Sequence, residues 1–232
     1  MGMHRGVIVL LIALAAFAGC ETGKDSEMPT ENDTLQETVG PKAAIDSDLA
    51  ISNLRVFLNS QEGSQNEVIL YASDEQIIQV TDPSCAAQPG DTLRTGHYSF
   101  YLRSQEGTVT ALQTIHPFGT EALEFNDQRK MLEVLPNNGD WGSDLLTVRQ
   151  YASCNGTEYA LLGLSADGDG LLSYKFKLNN KEFPTLFASE LTPVNSGDRE
   201  LLRSLSYDNS QGHWTTRYWF VDSNLGILSS KD

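Results

Sequence analysis

From Leu49 onward, apolar and polar residues alternate with a period of two. Leu54, Val56 and Leu58 alternate with Asn53, Arg55 and Phe57. Tyr98, Phe100 and Leu102 alternate with His97, Ser99, Tyr101 and Arg103. Trp214, Thr216, Tyr218 and Phe220 alternate with His213, Thr215, Arg217 and Trp219. Successive side chains of a strand point to opposite faces, so alternation over six or more residues describes half-buried strands. Turn signals separate the runs: Glu62-Gly63, Glu106-Gly107, Asn138-Gly139, Asn155-Gly156, Asp167-Gly168-Asp169-Gly170 and Asn224-Leu225-Gly226. Asn-Gly and Asp-Gly permit the positive φ that tight hairpins need. The pattern predicts about a dozen strands joined as antiparallel hairpins, an all-β body over residues 49–232. One short turn of helix is expected, over Glu200–Leu205 behind Asp198.

A repeat narrows the architecture. Phe57-Leu-Asn-Ser-Gln-Glu-Gly63 matches Tyr101-Leu-Arg-Ser-Gln-Glu-Gly107, and Tyr151–Gly156 and Tyr207–Gly212 are looser copies. The closing glycines stand 44, 49 and 56 residues apart. That spacing is the period of β-propeller blades, and four units would fill the body. Restricted turn chemistry produces the same likeness in any antiparallel meander. A small β-propeller, a β-sandwich and a barrel therefore all remain open.

The first residues carry a different signal. His4 and Arg5 precede an apolar run from Val7 to Phe17. A membrane span needs roughly 20 apolar residues, and this run is shorter. It fits the h-region of a secretory signal over residues 1–19. The run ends in Phe17-Ala18-Gly19-Cys20, which resembles the lipobox of bacterial lipoproteins, with Phe17 where the family usually has Leu. The resemblance covers only these first residues. It implies removal of the segment before Cys20, lipidation (palmitate-type acylation) of the Cys20 sulfur, and an extracytoplasmic domain anchored to a bacterial membrane. Glu21 after the cysteine, rather than Asp, implies the outer membrane if the envelope has two. Ala16-Phe17-Ala18 also fits an ordinary signal-peptidase site, which would release a soluble protein starting at Gly19. The chain has three cysteines. With Cys20 lipidated, Cys85 and Cys154 remain, and an exported protein can join them as a disulfide.

Glu21 to Asp48 holds eight acidic and two basic residues, two prolines and no aromatic residue. Such a stretch cannot bury enough apolar surface to offset the entropy of ordering. Residues 20–48 read as a lipidated cysteine and a flexible acidic tether. The whole chain has 16 Lys+Arg against 31 Asp+Glu, a net charge of -15. Nucleic acid and anionic headgroups would repel it, so no nucleic-acid partner is expected.

Catalytic motifs are absent from the sequence. There is no G-x-S-x-G elbow, C-x-x-C or H-E-x-x-H. Calcium is the one metal with a candidate: Asp167 and Asp169 offer hard oxygen ligands in a tight loop, without the third acid and distal Glu of an EF-hand. Asn138, Asp140 and Asp144 form a second oxygen-rich loop. Otherwise no cofactor is implied. Strand parity supplies a surface. If Trp214, Tyr218 and Phe220 face the core, then His213, Arg217 and Trp219 share the other face, and His97, Tyr101 and Arg103 point outward likewise. Arg149 and Tyr151 share a face of the strand at 145–152. Aromatic rings beside Arg make contact groups for an envelope protein or a glycan.

The sequence thus favours a lipid-anchored, non-catalytic binding or envelope-assembly module. A carrier of an apolar ligand would need a large apolar pocket inside a barrel. A hydrolase of envelope glycan or peptide would need converging carboxylates, or a Ser and a His, in a cleft.

Overall fold

A computed structural model describes residue 49 and residues 52–112, 114–137, 141–196 and 199–231. The signal segment, Cys20, the tether, Asn138 and Asp140 lie outside the described residues. The first strands are β1 (Arg55–Asn59), β2 (Gln65–Tyr71), β3 (Gln76–Gln79), β4 (Thr92–Gly96), β5 (Ser99–Arg103), β6 (Val109–Leu112), β7 (Leu123–Asn126) and β8 (Leu132–Leu135). Next come β9 (Leu145–Ser153), β10 (Gly156–Leu164), β11 (Leu171–Leu178), β12 (Lys181–Phe183), β13 (Leu186–Ala188) and β14 (Glu190–Ser196). β15 (Arg199–Asp208), β16 (His213–Asp222) and β17 (Ile227–Lys231) complete the chain. The all-β expectation holds. The expected helical turn at Glu200–Leu205 is instead part of β15, paired throughout with β14 and, from Leu202 on, with β16 as well. Cross-strand pairing on both sides outweighs a local capping signal there.

The strands do not divide into four blades. β1-β2-β5-β6 form one sheet, β3-β4-β7 a second, and the remaining ten strands a third. The large sheet nearly closes on itself, which is the barrel-like alternative rather than the propeller. β10 pairs with β13, and the chain runs through Ser189, whose N–H reaches the Leu205 carbonyl, into β14 beside β15. β15, β16 and β17 follow as antiparallel neighbours, β17 lies parallel to β11, and β11 returns to β10. Every strand of this ring except the short β12 spur sends a side chain into one core: Leu161, Tyr174, Phe176, Ala188, Leu191, Leu202, Trp219 and Leu228.

β9 and β10 are walls shared by two cores. Leu145, Tyr159 and Leu161 face the barrel interior. Leu146, Val148, Ala160 and Leu162 face the other way, against Leu58, Val68, Leu70, Phe100 and Leu102 of the four-stranded sheet. Burial on both faces replaces alternation with an apolar run, as in Tyr159-Ala-Leu-Leu-Gly-Leu164.

The sequence repeat is a repeat of turns. Ser60 and Ser104 each open a loop in which the glycine N–H (Gly63, Gly107) returns to the serine carbonyl, at 3.0 and 2.9 Å. Each serine hydroxyl also accepts the N–H of the closing residue, Ser64 or Thr108, at 3.1 Å. Both glycines have φ +83°, a left-handed conformation that disfavours any residue with a Cβ. These two hairpins belong to one sheet, and the looser copies at Gly156 and Gly212 close hairpins of the barrel.

Candidate functional site

The β9–β10 and β15–β16 hairpins end side by side and enclose a cleft of about 480 Å³. Its walls are Tyr151, Ser153, Thr157 and Ser189, with Tyr207 and Trp214 of the second hairpin, and Arg129 and the Cys85–Cys154 pair beside them. That volume lies within the usual range for small-ligand sites.

Each part has a local cause. Tyr207 and Trp214 are direct cross-strand partners, and their rings meet 5.1 Å apart. Trp214 is 56% exposed, in the part of β16 nearest the hairpin tip. Asn155 sits at the other hairpin turn. Its side-chain N–H₂ donates to Asn209 Oδ1 at 2.8 Å, and its carbonyl accepts the Ser189 hydroxyl. The first bond links the two tips, and the second ties the β9–β10 turn to the β13–β14 connection. The Phe187 ring lies across Gly156, where a Cβ would stand only 2.5 Å from it, so a larger residue there would displace that exposed ring.

Cys85 and Cys154 stand at disulfide distance, with Cα atoms 4.7 Å apart. The Cys85 carbonyl accepts a 3.4 Å contact from Arg129 Nη1. The same nitrogen donates to the Tyr151 hydroxyl at 2.6 Å, and the guanidinium carbon lies 5.0 Å from the Tyr151 ring centre. Arg129 is half-buried, and among the described residues no carboxylate lies within ion-pair distance of it. Asp91 senses its charge: Asn126 first, then the Gln88 N–H and, more weakly, Arg129 hold the Asp91 carboxyl below its usual range.

The residues singled out from sequence are placed as follows. On β5 the parity is right: Phe100 and Leu102 are buried while Tyr101 and Arg103 lie on the other face, half-buried. Arg103 binds Glu67, a buried carboxylate that also takes Arg55. His97 Nδ1 meets Asp74 Oδ2 at 2.6 Å, and the His97 N–H meets Asp74 Oδ1. His97 also lines a smaller cleft of about 190 Å³, together with Ser99 and His116. No hydrogen bond joins Ser99 to His97.

On β16 the parity is inverted. Trp219 is 1% exposed and is a barrel-core residue, not a binding surface; its indole N–H donates to Ser204 Oγ at 2.9 Å. Trp214 and Tyr218, expected in the core, are exposed. Period two separates the faces of a strand but does not say which is inside, and here one buried indole outweighs the exposed pair. Arg217 is half-buried and lines a shallow polar groove with Ser204, Ser206 and Thr215. His213 is exposed, directly opposite Asp208. The six residues expected to share a surface thus do not: Tyr101 and Arg103 belong to the four-stranded sheet with His97 just before it, and His213, Arg217 and Trp219 belong to the barrel.

Asp167 and Asp169 are exposed in the β10–β11 turn. Ser165 organises that turn: its hydroxyl accepts the Gly170 N–H at 2.9 Å and contacts Asp169. A hydrogen bond from Ser165 is the main cause that holds the Asp167 carboxyl below its usual range. No third His, Cys, Asp or Glu joins them into a metal cluster among the described residues. Asp144 is buried and committed: its carboxylate accepts the Asn59 N–H and side-chain amide and the Asn137 N–H, at 2.7–2.8 Å.

Sequence reasoning missed Arg129, Asn155 and Tyr207 as contact groups. Arg149 was visible by parity but binds Glu133 and lies over the Tyr159 ring, 5.1 Å from its centre. Tyr151, named beside it, does line the cleft. No family model, curated protein or solved structure matches this chain.

Proposed function

We propose that this chain is a lipid-anchored, extracytoplasmic binding module that holds an envelope glycan in the cleft between the β9–β10 and β15–β16 hairpins. The cleft is the observation that carries the reading. It is concave, open and lined by aromatic rings beside hydroxyl and amide groups. Sugars present C–H faces that pack on such rings and hydroxyls that hydrogen-bond to such edges. A docking face for a globular protein is flatter, with an apolar centre. The lipobox-like Phe17–Cys20 would place the module at a membrane, and the acidic stretch to Asp48 would give it reach. An apolar-ligand carrier finds less support, because Trp219, Phe176, Tyr174 and Tyr159 fill the barrel interior.

The test uses the full-length protein in mild detergent. Of its three tryptophans, Trp141 and Trp219 are each 1% exposed, so the 56%-exposed Trp214 dominates any ligand-dependent change in emission. Titration with a panel of envelope oligosaccharides should shift emission, and W214A should abolish the response. C20A should release the protein from the membrane fraction of its host. A silent Trp214 across the panel sinks the glycan-binding reading. A C20A protein that still pellets with membranes sinks the anchor.

A further inference from the structure

The only charged side chain among the cleft's lining residues is Arg129. This is notable in a chain of net charge -15 with 31 carboxylate side chains. Charges elsewhere are largely committed: Arg55 and Arg103 to Glu67, Arg94 to Glu75 and Asp127, Arg149 to Glu133, and Arg203 to Glu190. Arg129 has no such partner among the described residues. Its Nη1 is engaged by the Tyr151 hydroxyl and the Cys85 carbonyl. No described residue accepts from its Nε or Nη2. Those two N–H groups point in parallel from one edge of the guanidinium, the edge that grips a carboxylate with two bonds.

Resting on the glycan-binding reading above, we infer that the cleft selects an acidic saccharide, one whose carboxylate docks on the Nε–Nη2 edge of Arg129 while a sugar ring packs against Trp214 and Tyr207. Three features support a carboxylate. One guanidinium matches one singly charged planar group, whereas a phosphomonoester carries about -1.5 to -2 and recruits more donors. The cleft lining holds no acid to repel it. Tyr151 and the Cys85 carbonyl hold the guanidinium by Nη1, which lessens the side-chain freedom to be lost on binding. The aromatic pair supplies affinity for the ring, and Arg129 supplies the preference for acid over neutral sugar.

The experiment titrates full-length protein in mild detergent with tetragalacturonate and with its fully methyl-esterified form, following Trp214 emission. The two probes share every ring and differ only at the carboxyl groups, ionised in one and methyl-capped in the other. The acid should bind about tenfold or more tightly than the ester. R129Q should bind both with the ester's affinity, and R129K should keep part of the preference, because a lysine supplies charge without the fork. Circular dichroism checks that both variants are folded. Equal affinity of the parent for acid and ester overturns acid recognition and leaves glycan binding standing. A preference for the acid that survives R129Q overturns the role of Arg129. No response to either probe overturns acid recognition outright, and the glycan panel then judges the broader reading separately.

Discussion

Tyr174 lies in the barrel core, and burial pushes its hydroxyl up to about 12, with the negative charge of Asp222 adding to the effect. The folded state therefore favours the neutral phenol. Below the ordinary tyrosine value of 10.0 both states hold it neutral, and the contribution is fully present. As pH rises from there towards 12, the unfolded chain ionises and the folded chain does not, so stability falls. Tyr98 acts in the same direction: burial comes first, then its hydrogen bond to Glu75 at 2.7 Å. Urea midpoints between pH 9 and 12 should fall steeply for the parent and less steeply for Y174F. Identical slopes would refute the assignment. None of this was legible in the sequence, where Tyr174 is simply one of eight tyrosines. A raised titration needs a known surround, and local pattern does not supply one.

At the scale of elements, β16 separates what alternation reveals from what it hides. The strand and its two-face pattern are plain in His213–Asp222, and so are the hairpin turns around it. Which face is inside depends on β15, β17 and β11 closing a ring, a long-range fact absent from any window of sequence. The same holds for β9 and β10, whose continuous apolar stretches reflect cores on both sides. The consequence is measurable. W219A should cost about 3–5 kcal/mol, because a fully buried indole leaves a cavity and an unpartnered Ser204. W214A should cost about 1 kcal/mol or less, the loss being mainly its ring contact with Tyr207. Equilibrium urea unfolding of both variants decides between the two faces. A larger loss for W214A would return Trp214 to the core.

Across the whole molecule, Cys85 and Cys154 connect parts that local structure leaves independent. Cys85 follows β3 of the three-stranded sheet, and Cys154 sits in the β9–β10 turn of the barrel. Their approach to disulfide distance was expected from cysteine parity, with Cys20 set aside by its lipobox-like surround. Their position at the cleft was not, because it follows from sheet packing. A bond there closes a loop across a sequence separation of 69 residues, and chain entropy puts its contribution at about 4 kcal/mol. It also acts on the cleft. The Cys85 carbonyl is one of two acceptors for Arg129, and Cys154 precedes Asn155, which links the hairpin tips. The double variant C85S/C154S should therefore lose stability by about that amount and should also bind the acidic probe more weakly, while W214A loses binding with little change in stability. Thiol titration of the exported parent should find no free Cys85 or Cys154. Two free thiols, or a double-serine variant with the parent's urea midpoint, would remove the bridge from this account and leave the cleft to be held by its hydrogen bonds alone.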